Sequence, residues 1–220
     1  MIESFISFWP ELWKALQETL IMLAVGLSAS TVFGGAIGVF LYLWSEERLL
    51  KSPKLRFIVG GLVNVVRSFP FVILMIAAGP LARLIAGTTI GPVAASVPLS
   101  IAGIAYFSRL VELSLMDVSK GTVEAAQSMG ASLRKIVFSV LLVEARPSLI
   151  LGFTSLCISY LSYSAAAGVI GGGGLGDLAV RYGYYRFQTE IMVATVVGLI
   201  LFVQLIQSTG NYFSRKMDKR

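Results

Sequence analysis

The sequence predicts an all-α integral membrane protein with five transmembrane helices. Hydrophobic residues make up 56% of the 220 residues, charged residues make up only 14%, and the mean hydropathy is +0.80. A soluble chain of this length could not bury so much apolar surface. The charged residues also leave long apolar stretches between them, close to the ~20 residues that a helix needs to cross a membrane.

The apolar stretches give the positions of the helices. Four of them are long enough alone, and the second, 68–82, is extended by the apolar residues 57–66, with only Arg67 between them. The stretches do not alternate between polar and apolar residues, as the strands of a transmembrane barrel would. The predicted helices lie near 19–43, 60–82, 90–110, 148–170 and 191–213.

Basic residues concentrate on one side of the predicted membrane. The positive-inside rule therefore places residues 1–18 and the N-terminus outside, and the segment 111–147 and the C-terminus in the cytoplasm. The net charge of +6 reflects this asymmetry and does not indicate nucleic-acid binding. The cytoplasmic basic residues are Arg48, Lys51, Lys54, Arg56, Arg109, Lys120, Arg134, Lys135, Arg146, Arg215, Lys216, Lys219 and Arg220, and those outside are Lys14, Arg83, Arg181 and Arg186.

The composition excludes several kinds of chemistry. The chain has no histidine and one cysteine, Cys157, which excludes imidazole metal sites, Ser-His-Asp triads, intrachain disulfides and multi-cysteine metal sites. The phosphate-binding pattern G-x-x-x-x-G-K-[ST] does not occur, so ATP would have to be bound by another chain. Gly171, Gly173 and Gly176 satisfy G-x-G-x-x-G, but they follow a spanning helix rather than a strand, which argues against dinucleotide binding.

The cytoplasmic segment is predicted to contain a short helix outside the membrane. Thr122 and Ser132 are candidate N-caps of two successive helices. In the first helix an acidic residue suits the positive end of the dipole, small apolar residues form one face, and a glycine can supply a left-handed stop. Such a face predicts a docking site for another protein, and an ordinary solvated helix is the alternative. The residues concerned are Glu124, Ala125, Ala126, Met129 and Gly130.

The docking-helix residues also resemble a known family motif. Glu124-Ala125-Ala126-x-x-x-Gly130 resembles the EAA motif of permease subunits of binding-protein-dependent ABC importers. Segments 67–74, 85–91, 163–165 and 172–176 are similar to the permeases of methionine importers, and the similarity covers about residues 15–213.

The resemblance implies a type I ABC importer permease fold in a bacterial plasma (inner) membrane. It implies that two copies of this chain pair with two cytoplasmic ABC ATPase subunits, which dock on the EAA segment as a coupling helix. An extracytoplasmic binding protein or lipoprotein would deliver methionine or a related small amino acid. ATP and magnesium would be bound by the ATPase, so this chain would carry no cofactor and would not be an enzyme. Membrane lipid is a further expected partner, and nucleic acid is not.

The fourth predicted helix and the glycines after it are candidates for the translocation path. Small and hydroxyl residues usually mediate helix packing, but several here share a face that could offer hydrogen bonds to a zwitterionic amino acid. The candidate path residues are Ser159, Tyr160, Tyr163, Ser164 and Gly168. The following glycines form either a flexible turn or a loop at the outer mouth of the pore, where the backbone bends towards the axis. They are Gly171, Gly172, Gly173, Gly174 and Gly176.

One charged side chain is predicted near membrane depth. Arg67 lies within the second predicted span, where ionisable residues are costly and by default functional. Snorkelling to the cytoplasmic interface, with Asn64 on the adjacent turn sharing its donors, is the alternative.

A stand-alone secondary amino-acid carrier is the alternative function. Such a carrier predicts acidic residues inside the membrane for ion coupling, and none of the five predicted spans contains Asp or Glu. A membrane scaffold without transport would leave the docking helix unexplained.

Overall fold

The structure, a computed structural model, describes residues 2–45 and 49–218, and within these ranges it is helical and without strands. Arg48, Lys219 and Arg220, which were used above to predict orientation, lie outside the described residues. Four helices are long and apolar enough to cross a membrane, and the number is five if a bent helix pair is counted as one span. The all-α fold with up to five spans agrees with the prediction. The four helices are Phe8–Leu43, Pro92–Met116, Arg146–Gly172 and Thr189–Met217.

The first span is one long helical stretch. Helix α1 (Ile2–Ala29) continues through a π-helical segment (Ser30–Gly34) into α2 (Gly35–Leu43). The predicted helix 19–43 lies inside it. Of the predicted N-terminal segment 1–18, the described residues 2–18 are part of the same helix, because the strong helix formers between Glu11 and Glu18 extend it towards the N-terminus.

Glycines in the first span allow close contact with the centre of the bundle. A Cβ atom on Gly34 would lie 2.8 Å from the carbonyl oxygen of Ile104, and one on Gly38 would lie 2.7 Å from the Cβ of Val111. Only glycine permits the two backbones to approach this closely.

The second span is bent, so the prediction of one helix over 60–82 is wrong. Helices α3 (Pro53–Ser68) and α4 (Phe71–Ala77) meet at 105°. Pro70 has no N–H with which to continue α3, and it disfavours helical backbone at the preceding residue. Phe69 accordingly has extended backbone, with ψ at 131°.

Helix α6 (Pro92–Met116) lies at the centre of the bundle. It packs against α1, α2, α3, α5 (Gly79–Ala86) and α10 (Arg146–Ala167), and its Leu99 and Leu115 are fully buried. The helix continues past residue 110, where the prediction ended it.

Short helices connect α6 to α10 on the predicted cytoplasmic side. Helix α7 (Lys120–Ser128) follows α6, and α10 begins at Arg146 with Pro147 in its first turn, a position that tolerates the missing N–H. Three short pieces run between them. They are α8 (Leu133–Lys135), a π-helical segment (Ile136–Leu141) and α9 (Leu142–Glu144).

A glycine-rich turn and a final long helix complete the chain. After α10 come a kinked segment (Gly168–Gly172), in which Ile170 and Gly171 have non-helical backbone, the short helix α11 (Gly174–Leu178), a π-helical segment (Ala179–Tyr184) and α12 (Thr189–Met217). Helix α12 packs along α10. The Ser214 hydroxyl donates a hydrogen bond to the Pro147 carbonyl oxygen at 3.1 Å, which joins the end of α12 to the start of α10.

Candidate functional site

The inner face of α7 is held by the bundle. Val123 and Ala126 are buried and belong to the same apolar cluster as Ile136 and Leu115. The prediction that Ala126 faces a docking partner is therefore wrong, because Ala126 anchors α7 to the bundle. The predicted cap is also wrong: α7 begins at Lys120, upstream of Thr122, because Val118 packs into the core and turns the chain earlier.

The outer face of α7 is exposed and nearly flat. Gly121, Ala125 and Ser128, spaced four and three residues apart, are all exposed and lie on the side opposite the buried residues. Glu124 is exposed beside them, and Met129 at the end of the helix is 81% exposed. Side chains this small let another protein approach the helix backbone closely.

The predicted end of α7 is confirmed. Gly130 has a φ of +74°, in the left-handed region, and the N–H of Ala131 donates to the carbonyl oxygen of Ala126 at 3.1 Å. This is a glycine-terminated helix end. Ser132 then caps the next helix as predicted, with its hydroxyl accepting from the N–H of Lys135 at 3.4 Å.

Three of the predicted path residues lie inside the subunit. Tyr160 and Ser164 are buried, and the Ser164 hydroxyl donates to the carbonyl oxygen of Leu161 at 2.9 Å. Gly168 is also buried, and a Cβ atom there would lie 2.9 Å from the carbonyl carbon of Gly176. The prediction that these three residues line the path is therefore corrected: they pack inside the subunit.

Tyr160 joins three spans. Its hydroxyl donates to the carbonyl oxygen of Leu99 at 2.8 Å and lies 2.7 Å from the hydroxyl oxygen of Ser30. The ring fills the space left by two glycines, since a Cβ atom on Gly26 or on Gly103 would overlap it.

Two other predicted path residues stay near a surface, beside the bend of the second span. Ser159 and Tyr163 are half-buried on α10. The ring of Tyr163 stacks on Phe71, the first residue of α4, with 4.4 Å between ring centroids. Arg67, in the last turn of α3, is exposed just before the bend. A break in a membrane helix is typical of cavity walls and transport sites, and the structure places Tyr163 against this break.

The glycines after α10 form a tight bend. Gly171, Gly173 and Gly174 have φ values of +92°, +75° and +86°, which side chains rarely tolerate. Gly172 is buried, and a Cβ atom on Gly176 would lie 2.7 Å from the carbonyl carbon of Ala165. This close packing favours a fixed loop over a flexible turn.

Two residues that the sequence did not single out hold this loop. The N–H of Gly174 donates to the Glu18 carboxylate at 2.7 Å, and the N–H of Leu175 donates to the Thr19 hydroxyl at 2.9 Å. Both acceptors lie on α1, more than 150 positions away. They satisfy N–H groups at the start of α11, which has no earlier turn to bond them.

A buried carboxylate near the end of α6 was also missed. Glu112 is 1% exposed, and its oxygens lie 3.1 Å from a guanidinium nitrogen of Arg56 and 2.5 Å from one of Arg109. The expectation that no acidic residue lies in a span is wrong here, because the predicted helix ended at 110. In the part of the chain that the structure describes, no group of three His, Cys, Asp or Glu side chains could hold a metal ion.

The comparisons with relatives agree on the kind of protein. A family described as binding-protein-dependent transport system inner membrane component matches residues 34–219. The chain is 46% identical over 209 residues to the probable D-methionine transport system permease protein MetI of Vibrio cholerae, covering 95% of this chain and 93% of that one. It is 38% identical over 210 residues to the methionine import system permease protein MetP of Bacillus subtilis, covering 96% and 95%.

Solved structures show the same similarity. A chain of the MetNI methionine ABC transporter in an inward-facing conformation superposes with a TM-score of 0.94 at 36% identity, covering 97% of this chain and 99% of that one. A chain of an amino acid ABC transporter, 19% identical with a TM-score of 0.77, shares the fold. A stand-alone carrier is not favoured by any of these matches. The chain therefore belongs to the inner membrane components of binding-protein-dependent transport systems, and it is a multi-pass inner membrane permease of the ABC importer class.

Proposed function

We propose that this chain forms part of the translocation path for methionine or a related small amino acid. The methionine permeases named above, similar over nearly their whole length, support this substrate class. The chain would act with a second copy of itself, two cytoplasmic ATPase subunits and an extracytoplasmic binding protein or lipoprotein. ATP and magnesium would be held by the ATPase, so this chain contributes no catalytic residue.

The flat outer face of α7 is the observation that carries the proposal. Its inner face is fixed to the bundle through Val123 and Ala126, so the helix cannot turn freely. Its outer face presents Gly121, Ala125 and Ser128 to the surroundings. A helix anchored on one side and smooth on the other suits a groove in a partner, with the exposed Met129 as an adaptable apolar contact.

Movement of α7 would reach the path through the apolar cluster. Val123 shares that cluster with Leu115 near the end of α6 and with Leu141, which precedes α10. Displacement of α7 by nucleotide-driven closure of the ATPases therefore acts on both central helices. The helix bundle would then have two conformations. ATP binding on the cytoplasmic side and the loaded binding protein on the outer side would each shift the equilibrium between them.

The path itself would run past the bend of the second span. Ser159 and Tyr163 on α10 offer neutral polar groups, and Arg67 carries a charge in the last turn before the bend. Neutral contacts suit a path that must release its substrate. The glycine loop held by Glu18 would form the fixed outer end of this path.

Co-purification and uptake test the proposal. We expect the chain to co-purify with an ATPase subunit, and we expect proteoliposomes to take up methionine only with ATP and binding protein. The variant Ala125→Trp places a large ring on the flat face without entering the core. It should weaken ATPase binding at least about tenfold, which corresponds to about 1.4 kcal/mol.

Lys216→Trp is the matched control, since it places the same ring on an exposed position at the end of α12. This variant should still co-purify with the ATPase and should still support methionine uptake. Full ATPase retention by Ala125→Trp would contradict the docking face. Uptake driven by an ion gradient without nucleotide would instead support a carrier.

A further inference from the structure

A groove opens between α2, α3 and α6 near the ends of α3 and α6 that lead to the predicted cytoplasmic side. Its volume is about 730 Å³, within the range of small-molecule sites. The groove lies at the depth where membrane helices begin and end, since α3 starts at Pro53 and α6 ends at Met116. None of the residues assigned above to the docking face or to the path lines it.

The polar end of the groove is positive. It is lined by Lys54, Arg56 and Arg109, with Glu112 as the acidic residue among the lining side chains. Glu112 is 1% exposed and already bonded to both arginines, whereas the arginine side chains are 35% and 36% exposed. Guanidinium donors and the Lys54 ammonium therefore remain available to an anion, while the carboxylate is closed off.

Apart from Asn64, the rest of the groove is apolar, and it is open. Phe57 is 83% exposed and Ile58 is 57% exposed. A Cβ atom on Gly61 would have no neighbour within 4 Å, so the wall beside it is empty. Leu41 of α2, which is fully buried beside Gly60, also lines the groove. An apolar wall of this kind suits a hydrocarbon chain.

These two ends together indicate the class of ligand. A zwitterionic amino acid would need an acceptor for its ammonium group, and Glu112 is not available for that purpose. A soluble phosphate would use the cations but not the apolar wall. An anionic phospholipid uses both, because basic groups at the membrane surface attract anionic headgroups while acyl chains cover apolar helix faces.

We propose that this groove binds one anionic phospholipid, with the phosphate on Lys54, Arg56 and Arg109 and an acyl chain along Phe57, Ile58 and Gly61. The bound lipid would offset part of the excess positive charge around Glu112 and add a contact to the ion pair that already joins α3 to α6. This inference requires only that α3 and α6 are membrane helices, so it does not depend on the substrate or on the ATPase docking face.

Native mass spectrometry of the purified importer tests the proposal. The complex in detergent is titrated with phosphatidylglycerol and, separately, with phosphatidylcholine. We expect phosphatidylglycerol to bind at lower concentration. Lys54→Gln should weaken its binding about fivefold, the effect of one basic residue at an anionic surface. Gly61→Leu should also weaken it, because the new side chain occupies the apolar wall without a clash inside the subunit.

Lys216→Gln is the control, since it removes the same charge from an exposed site outside the groove. It should leave phosphatidylglycerol binding unchanged. Equal binding of the two lipids would overturn the proposal. Unchanged phosphatidylglycerol binding by both Lys54→Gln and Gly61→Leu would also overturn it. A groove that is covered by another subunit of the importer would give these same results. Displacement of the lipid by glycerol phosphate at equal concentration would assign the site to a soluble anion instead.

Discussion

The carboxylate of Glu18 on α1 accepts a hydrogen bond from the backbone N–H of Gly174, with 2.7 Å between Oε2 and N. Gly174 has a left-handed φ of +86°, and it opens the short helix α11. Glycine allows this left-handed backbone conformation, and the long-range hydrogen bond from Gly174 to Glu18 stabilises it. Together with the hydrogen bond from Leu175 to Thr19, this contact ties the glycine loop to the first span.

Glu18→Ala should loosen the glycine loop. The substitution removes a charge-assisted hydrogen bond, and we expect a loss of about 1 kcal/mol in stability, reduced from the fully buried value because Glu18 is half-buried. Thermal unfolding of the purified protein measures it. Glu18→Gln keeps an acceptor and should lose less, and Glu11→Ala in the same helix should have little effect. Equal melting of Glu18→Ala and wild type would contradict the assigned contact.

Arg56 and Arg109 should act non-additively through Glu112. Each single change to Gln leaves the carboxylate one guanidinium partner, whereas the double change leaves it buried and unpaired. We expect about 1 kcal/mol for each single variant and about 3–5 kcal/mol for the double variant. A double-mutant cycle of chemical unfolding measures this coupling. Simple additivity would show that the two arginines act independently.

Tyr160→Phe and Tyr163→Phe should separate packing from the path. Loss of the Tyr160 hydroxyl leaves the buried Leu99 carbonyl oxygen without that donor, so stability should fall by about 1–3 kcal/mol. Tyr163 keeps its ring stack on Phe71 after the same change, so its stability should be nearly unchanged. The melting temperatures of the two purified variants, each compared with that of the wild type, measure these changes in stability. Equal destabilisation would contradict the different environments of the two hydroxyls.

Arg67→Gln should impair transport rather than assembly. Arg67 lies exposed in the last turn of α3, beside the bend, and the substitution removes its charge while keeping a polar side chain. We expect lower ATP-driven uptake with normal ATPase co-purification. Arg83→Gln on α5 is the control, since it removes an exposed charge elsewhere. If Arg67→Gln lowers only the amount of folded protein, Arg67 has a structural role.

The sequence predicted features that depend on local chemistry. The apolar stretches located the spans because hydropathy alone decides which helices can cross a membrane. Gly130 and Ser132 were read correctly as a helix stop and a cap, since both roles depend on nearby backbone groups. The bend at Pro70 had a local signal too, because proline restricts the residue before it, but this was outweighed by the continuous hydropathy of 68–82.

Features that depend on distant partners could not be predicted. Tyr160 and Tyr163 lie one turn apart on α10, and only the glycines of other helices decide that Tyr160 points inward. Glu18 has its partner more than 150 positions later. The burial of Glu112 depends on Arg56, 56 positions earlier in the chain, as well as on the neighbouring Arg109, so the sequence alone does not reveal it.

The ring of Tyr160 fills a space bounded by Gly26 and Gly103, on two other helices. The side-chain volumes at these three positions therefore depend on one another, and the volume at one position cannot change without a change at another. Enlarging either glycine would force the ring out, and shrinking the ring would leave a void where the spans meet. An alanine at 26 or 103 would be accommodated best alongside a smaller residue at 160, so these positions should change as a set among related permeases.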